Sequence, residues 1–139
     1  MGEWWYNFLF MTFKTEVLNF SIGGFSQGTE NIIWENDKLY LYFDGNFLDE
    51  DVTIPSSKDW EEFWNEVDAL KVWGWEKDYN DDYVSDGTQW ELTIKREGRR
   101  KRRIFGSNAY PEPKGTFISF IKALNKLSKS EIEFEEEDF

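Results

Sequence analysis

The sequence predicts an α+β fold in which a mainly antiparallel sheet carries two amphipathic helices packed on it. Several segments alternate apolar and polar residues with a period of two, which is typical of half-buried strands, whereas two other segments repeat apolar residues at helical spacing. The strands outnumber the helices and are not interleaved with them one for one, which favours an antiparallel sheet over a doubly wound fold. The chain has 139 residues, so we expect a single domain over residues 1–139.

The first half of the chain is predicted to form strands. The stretch KTEVLNFSI places Leu18, Phe20 and Ile22 on one face of a strand. The stretch NIIWENDKLYLYF predicts a hairpin that turns at Asn36-Asp37, because both residue types tolerate the positive φ angles of a tight turn.

The stretch PSSKDWEEFWNEVDAL then changes to helical spacing. Ser56 or Ser57 can cap the N-terminus of this helix, where Asp59 suits the positive end of the helix dipole. The apolar stripe consists of Trp60, Phe63, Trp64, Val67 and Leu70. We expect this stripe to lie on the sheet.

The second half predicts further strands and a second helix. Residues 71–75, KVWGW, and residues 89–95, QWELTIK, are predicted strands, and Glu97-Gly98 is a predicted turn into a partner strand over residues 99–105. The second helix carries its apolar stripe on Phe117, Phe120, Ile121, Leu124 and Leu127. Residues 131–139 are predicted to form a final short strand and an acidic tail.

Charge and aromatic content limit the classes of partner. The 28 acidic and 16 basic residues give a formal net charge of -12, which repels nucleic acids and anionic membranes and attracts basic proteins. Aromatic residues make up 19% of the chain, so we expect a core built on rings, with some rings left for a binding face. The N-terminal stretch has no secretory signal and is too short to span a bilayer, which predicts a cytoplasmic protein.

One short stretch opposes this acidity. REGRRKRR, residues 96–103, has a net charge of +5, so the rest of the chain carries -17 (from -12 minus +5). We expect the acidic C-terminal segment to add as a strand beside this basic strand, with Lys and Arg paired to Glu across the ladder. The competing interpretation is a phosphate-binding patch, which the field of the remaining carboxylates opposes.

Several residue types that catalytic and cofactor sites use are missing. The chain has no His and no Cys, which removes Ser-His and Cys-His dyads and the commonest metal ligands. No glycine-rich phosphate loop is present. We therefore expect no catalytic residue, no cofactor and no metal, and we predict that the protein is not an enzyme.

The acidic stretch WEKDYNDDYVSDG leaves two chemical uses to consider. It begins like a calcium loop, but Tyr83 holds the position that needs Gly, and Gln89 holds the position of the closing Glu. Asp86 and Glu91 are conceivable as a glycosidase-type carboxylate pair, although nothing in their spacing singles them out. We interpret the stretch mainly as a solvated acidic surface.

A succession of motifs runs through the second half of the chain: Trp75, Tyr79, DGTQWELTI, GSNAYP, and then Phe117, Phe120 and Leu124. This succession resembles a pattern in small uncharacterised bacterial proteins. The resemblance implies a bacterial accessory protein, and it carries over no catalytic residue.

These features together predict a non-enzymatic acidic binding protein, and first of all an immunity or antitoxin-type protein that neutralises a basic toxin domain. The predicted partner-binding residues are Trp75, Asp78, Tyr79, Asp81, Asp82, Tyr83 and Asp86. Three alternatives stay open: a small-ligand or carbohydrate-binding domain that uses Trp faces, with or without hydrolysis by two carboxylates; a phage-type DNA mimic; and a domain of unknown role. The sequence leaves the oligomeric state open.

Overall fold

The described residues of the chain form a seven-stranded sheet with two helices. The computed structural model describes residues 16–24, 28–44, 46–81 and 87–134, with the backbone alone for residues 46–50. The elements are β1 Val17–Gly24, β2 Gly28–Glu35, β3 Lys38–Phe43, β4 Asn46–Thr53, α1 Ser57–Ala69, a 3-10 turn Val72–Gly74, β5 Asp78–Asn80, β6 Thr88–Lys95, β7 Arg102–Ser107 and α2 Thr116–Ser128.

The strand order in the sheet is β4-β3-β2-β1-β6-β7-β5. All neighbouring pairs are antiparallel except β5 and β7, which are parallel. β1 and β6 therefore lie in the middle of the sheet, and β4 and β5 form its two edges. The predicted α+β class with a mainly antiparallel sheet is confirmed.

The hairpin between β2 and β3 turns where the sequence predicts. Asn36 and Asp37 have φ angles of 53° and 66°, as the two central residues of a type I′ turn require. Glu35 and Lys38 close the ladder on either side of the turn.

Both helices lie on one face of the sheet, which we call the inner face, and an aromatic core fills the space between them. Phe117 and Phe120 of α2 have ring centroids 6.3 and 5.9 Å from the ring of Phe20 on β1. Phe63 of α1 lies 6.3 Å from Phe120, which joins the two helices. The predicted stripe of α2 is confirmed, because all of its members are buried: Phe117, Phe120, Ile121, Leu124 and Leu127.

The predicted start and stripe of α1 are also confirmed. Ser56 caps the helix: its hydroxyl accepts from the Asp59 N–H at 3.1 Å, and the Asp59 carboxylate accepts from the Ser56 N–H at 3.0 Å. The bond from the Ser56 N–H to the carboxylate is the main cause that lowers the pKa of the Asp59 carboxyl. Phe63, Trp64 and Val67 are buried on the inner face.

The strand predicted over residues 71–75 is wrong. Lys71 adopts a left-handed conformation with φ 57°, and the chain continues as the 3-10 turn. Val72 is fully buried, and the Trp75 indole N–H donates to the Leu70 carbonyl at 3.1 Å. A short apolar run is too short to show a period that distinguishes a strand from a turn. The tertiary contacts of Val72 and Trp75 therefore determine its conformation.

The final strand predicted within residues 131–139 is also wrong for residues 131–134, the part that the structure describes. Residues 130–134 have no regular secondary structure, and residues 135–139 lie outside the described residues. The Asn125 side chain holds this segment, because its amide donates to the Ile132 carbonyl at 2.9 Å and its oxygen accepts from the Ile132 N–H at 3.0 Å. Residues 130–134 are not paired with β7, whose ladder partners are β6 and, over residues 105–107, β5.

The C-terminal segment brings Glu133 close to Glu30 of β2. Burial and the charge of Glu133 raise the pKa of the Glu30 carboxyl above its ordinary value of 4.5. Ionised Glu30 therefore lowers the free energy of unfolding at neutral pH. This loss of stability disappears as the pH falls from above the raised pKa of the folded protein to the ordinary pKa of 4.5.

We expect Glu30→Gln to stabilise the protein near pH 7 and to have no stabilising effect below pH 4.5. Urea unfolding at both pH values checks this, with Glu35→Gln, at an exposed position of β2, as the control; equal effects of the two variants near pH 7 would contradict it.

Gly106 of β7 is required by the close approach of Trp90. A Cβ atom at Gly106 would lie 1.8 Å from Trp90 Nε1, and this indole N–H donates to the Ala109 carbonyl at 3.0 Å.

We expect Gly106→Ala to lower the free energy of unfolding by about 1–3 kcal/mol, because the ring must move out of a well-packed core. Gly74→Ala is the matched control, since no atom lies within 4 Å of its added Cβ. Urea unfolding compares the two, and equal losses would show that the Trp90 contact is unimportant.

Candidate functional site

The face of the sheet opposite the helices, which we call the outer face, is uncovered by any element within the described residues. Its side chains alternate with those of the core along β1, β6 and β7. Near β5 it has an open groove of about 390 Å³, which we call the β5 groove. Small residues such as Ser21, Gly23 and Ser107 leave room for the groove, and Asp78, Asn80, Gln89, Glu91 and Phe105 also line it.

One row of side chains crosses the β5 groove from strand to strand. Glu91 of β6 lies opposite Phe105 of β7, and Phe105 lies beside Asp78 of β5. The Phe105 ring is 42% exposed. The Arg103 guanidinium lies 3.8 Å from the Glu91 carboxylate on an exposed surface, so this ion pair is weak. The row thus places an exposed apolar ring between two carboxylates.

The predicted partner-binding residues have different positions around this groove. Asp78 is exposed on β5 and lines the groove. Asp81 follows β5 and is half-buried, and its N–H donates to the Ser107 carbonyl at 3.0 Å. Asp82, Tyr83 and Asp86 lie outside the described residues.

The two predicted aromatic anchors within the described residues face the core. Trp75 is only 6% exposed, so its ring is not available to anchor a partner. The Tyr79 ring is half-buried and stacks on Trp90 at 5.9 Å. The Tyr79 hydroxyl accepts from the Glu76 N–H at 2.8 Å, and burial raises the pKa of this hydroxyl. Both rings therefore support the groove from beneath rather than line it.

Phe105 is the exposed ring that sequence reasoning missed. The signal was present in the alternation of β7, because Ile104 is buried and its neighbour in a strand must point to the other face. The basic residues around it hid this alternation, since the sequence alone does not say which face of a strand is covered.

The basic run is half-buried at Arg96 and Arg102 and exposed at its other four cations: Arg99, Arg100, Lys101 and Arg103. The Arg96 guanidinium lies 5.3 Å from the centre of the Trp64 ring and 3.6 Å from the Asp68 carboxylate. The Arg99 guanidinium lies 5.7 Å from the centre of the Trp73 ring. Cations over indole faces are attracted by the ring quadrupole. The described partners of Arg96 and Arg99 are therefore tryptophans and an α1 carboxylate. Most acids of the C-terminal segment lie in residues 135–139, outside the described residues, so their pairing with the basic run stays a prediction.

The rings below these arginines form a row along α1. Successive centroids are separated by 4.1 Å for Trp34–Trp60, 5.9 Å for Trp60–Trp64 and 6.2 Å for Trp64–Trp73. This row runs from β2 to the 3-10 turn. Its indole faces are used for mutual packing and for contact with arginine.

Arg102 fixes the 3-10 turn to the sheet. Its guanidinium donates to the carbonyl oxygens of Trp73 and Trp75 through two different nitrogens. Arg100 and Lys101 are exposed in the turn before β7. The cations of this turn therefore lie at one end of β7 and the β5 groove lies at the other, whereas the exposed Arg103 contacts Glu91 of the groove.

The remaining chemistry of the described residues is limited. No group of three or more carboxylates within these ranges converges closely enough to hold a metal ion. In the same part of the chain, neither helix combines the length and hydrophobicity that are needed to cross a membrane. Every side-chain N or O atom that is buried there has a hydrogen-bond partner.

No model of a known protein family matches the chain, and no curated protein matches it in sequence. The resemblance of the second half to small bacterial proteins therefore stays a prediction. Function has to be inferred from the geometry and charge of the described residues.

Arg102→Lys tests the structural role of the basic run. The substitution keeps the charge, but a lysine ammonium cannot reproduce the planar fork that reaches both carbonyls. We expect the free energy of unfolding to fall by about 1–2 kcal/mol and the amides of residues 72–75 to exchange faster with solvent. Arg100→Lys, at an exposed position, is the matched control and should change neither quantity. Equal stability of the two variants would contradict the assigned role.

Proposed function

We propose that this chain is a non-enzymatic acidic binding protein that docks a basic protein partner on the β5 groove, in the manner of an immunity or antitoxin protein that neutralises a basic toxin domain. The observation that carries the proposal is the row of Glu91, Phe105 and Asp78 on the sheet face that no described element covers. An exposed ring with charged neighbours has the composition of a protein–protein anchor site.

The two parts of this row have separate roles in binding. The Phe105 ring would lose its contact with water in a complex, which supplies affinity. The carboxylates of Asp78 and Glu91 would steer a basic surface towards the groove and fix its orientation, which mainly affects the association rate and specificity. An aromatic anchor and acidic rim are therefore complementary to a partner with an apolar pocket among basic residues.

The distribution of charge supports a basic partner. The chain carries -12 overall, and several arginines of the basic run are engaged by tryptophan rings and backbone carbonyls. Cations that face solvent in the turn before β7 lie away from the β5 groove, whereas Arg103 is paired with Glu91 beside it. The net charge of the chain and the Asp78 carboxylate would therefore supply most of the attraction that steers a basic protein.

The shape of the groove supports a protein ligand over a small molecule. Small-molecule sites normally enclose most of the surface of their ligand, whereas the β5 groove is an open depression on a sheet. The proposal includes a cytoplasmic location and a bacterial source, both of which stand as predictions. The chain has no Cys, so its fold does not depend on an oxidising compartment.

The test uses immobilised protein and a lysate of the organism that encodes it. We expect a basic protein to be retained at low salt and released at high salt. The retained protein is then identified, purified and titrated against wild type and variants. Phe105→Ala should raise the dissociation constant about tenfold, and Asp78→Lys should lower the association rate and its salt dependence.

Glu61→Lys is the matched control for Asp78→Lys, because it makes the same charge change at an exposed position of α1. It should leave binding unchanged apart from a small general effect of net charge. The proposal fails if no basic protein is retained at low salt. It also fails if Phe105→Ala and Asp78→Lys bind the identified partner as well as the Glu61→Lys control does.

A further inference from the structure

The second notable surface is the edge of the sheet formed by β4, Asn46–Thr53. This strand pairs with β3, and no described residue pairs with its other side, because β4 ends the strand order. The strand has eight residues, none of which is proline. Its ladder with β3 is regular over residues 51–53 and shifts register between Leu41 and Phe43. The N–H and C=O groups on the side of β4 that no described residue pairs with are a template for a further strand.

Exposed apolar side chains are concentrated beside this edge. Four large apolar side chains are exposed in the described part of the chain, and three of them lie on β3, on β4 or directly after β4: Phe43 at 42%, Val52 at 49% and Ile54 at 68%. The fourth, Phe105, belongs to the β5 groove. Apolar groups clustered at an open edge add a favourable burial term to any strand that pairs there.

The charge of β4 argues against a second copy of this chain as the occupant. The strand contains Asp49, Glu50 and Asp51 in succession. Two copies joined through β4 would bring two such sets of carboxylates into adjacent strands, and like charges in adjacent strands destabilise pairing. The same carboxylates would stabilise pairing with a basic strand.

The faces of β4 define the sequence pattern of that strand. Val52 lies opposite Tyr40 and so shares the outer face, whereas Asp51 lies opposite Leu41 on the inner face. On the inner side Asp51 lines a groove of about 340 Å³. Its charged members are three carboxylates and one cation, Lys129, and its apolar members include Leu41 and Phe43. Neighbouring residues of an added strand would therefore meet Val52 on one face and, on the other, a mixed surface whose charge is negative.

We propose that β4 binds an extended segment of a basic protein, in which apolar residues that pack near Val52 alternate with Lys or Arg near Asp51. Main-chain hydrogen bonds along the edge supply affinity, and the alternation supplies specificity, as in other cases of strand addition. The inference rests on the proposed function in taking the partner to be basic, but it uses a different surface. β5 is a poorer edge for this purpose, since it has only three residues.

The experiment uses the full chain and a synthetic peptide of the length of β4 that alternates lysine and valine. At a peptide concentration about ten times the dissociation constant, we expect the amides that pair with the peptide, within residues 46–53, to exchange about tenfold more slowly with solvent. Two control peptides should give no protection there. One has the same composition with its lysines and valines in separate blocks, and the other has glutamate in place of lysine.

Variants of the protein locate the contact. Val52→Lys removes an apolar contact and adds a repelling charge at the edge, so it should weaken peptide binding about tenfold. Ala69→Lys makes the same kind of change at an exposed position of α1 and should have little effect. Circular dichroism and urea unfolding establish that both variants are folded before binding is compared.

Four results would overturn the strand-addition proposal. Protection confined to residues 88–107 would place the basic peptide on the β5 groove, which leaves the proposed function standing. Amides of β4 that are protected without peptide would show that the edge is already occupied by another part of the chain or by a second copy. Equal protection by the block peptide would show that charge alone attracts the ligand. Absence of binding at either surface would count against both proposals.

Discussion

The packing of Phe117 against rings from several parts of the chain is the interaction on which the rest of the structure depends. This residue of α2 is fully buried. Its ring centroid lies within 6.4 Å of five other rings. They lie on β1, at the end of the 3-10 turn, on β6, in the loop before α2 and in the C-terminal segment: Phe20, Trp75, Trp90, Tyr110 and Phe134. One side chain thus joins elements that are far apart in sequence, and it places the large rings on the inner face.

This inward placement explains why the outer face is polar and open. The bulky rings are used against the helices, so small side chains such as Ser21 and Ser107 can line the outer face near β5. The row of tryptophans along α1 needs a cover of its own, and Arg96 and Arg99 provide it. Arg102 adds backbone hydrogen bonds to the same region. Three of the five arginines of the basic run thus stabilise the row of tryptophans and the 3-10 turn.

The sequence predicts the parts of the fold that local periodicity controls. The strand through Phe20 and the stripe containing Phe117 follow from the spacing of apolar residues, and the turn at Asn36-Asp37 follows from backbone preference. The strand predicted for residues 71–75 is wrong because the 3-10 turn found there depends on hydrogen bonds from Arg102, which is distant in sequence. Residues 131–134 do not add as a strand beside the basic run, because the Asn125 side chain of α2 holds them through two hydrogen bonds to Ile132. In the candidate site, the sequence predicts Asp78 as a binding residue. It does not predict Phe105, because that prediction requires knowing which face of the sheet the helices cover.

The two acidic edges of the sheet are compatible with a single partner. Seven strands are separated by six spacings of about 4.8 Å, so the outer face is about 29 Å wide from β4 to β5. A standard interface buries about 800 Å² on each partner, which corresponds to a patch of about 28 Å across. One basic domain could therefore lie over the outer face, contact the β5 groove and extend a strand to β4. On this proposal the acidity that would attract such a domain would also oppose pairing of two copies through β4, so one property of the sheet would provide both attraction and discrimination.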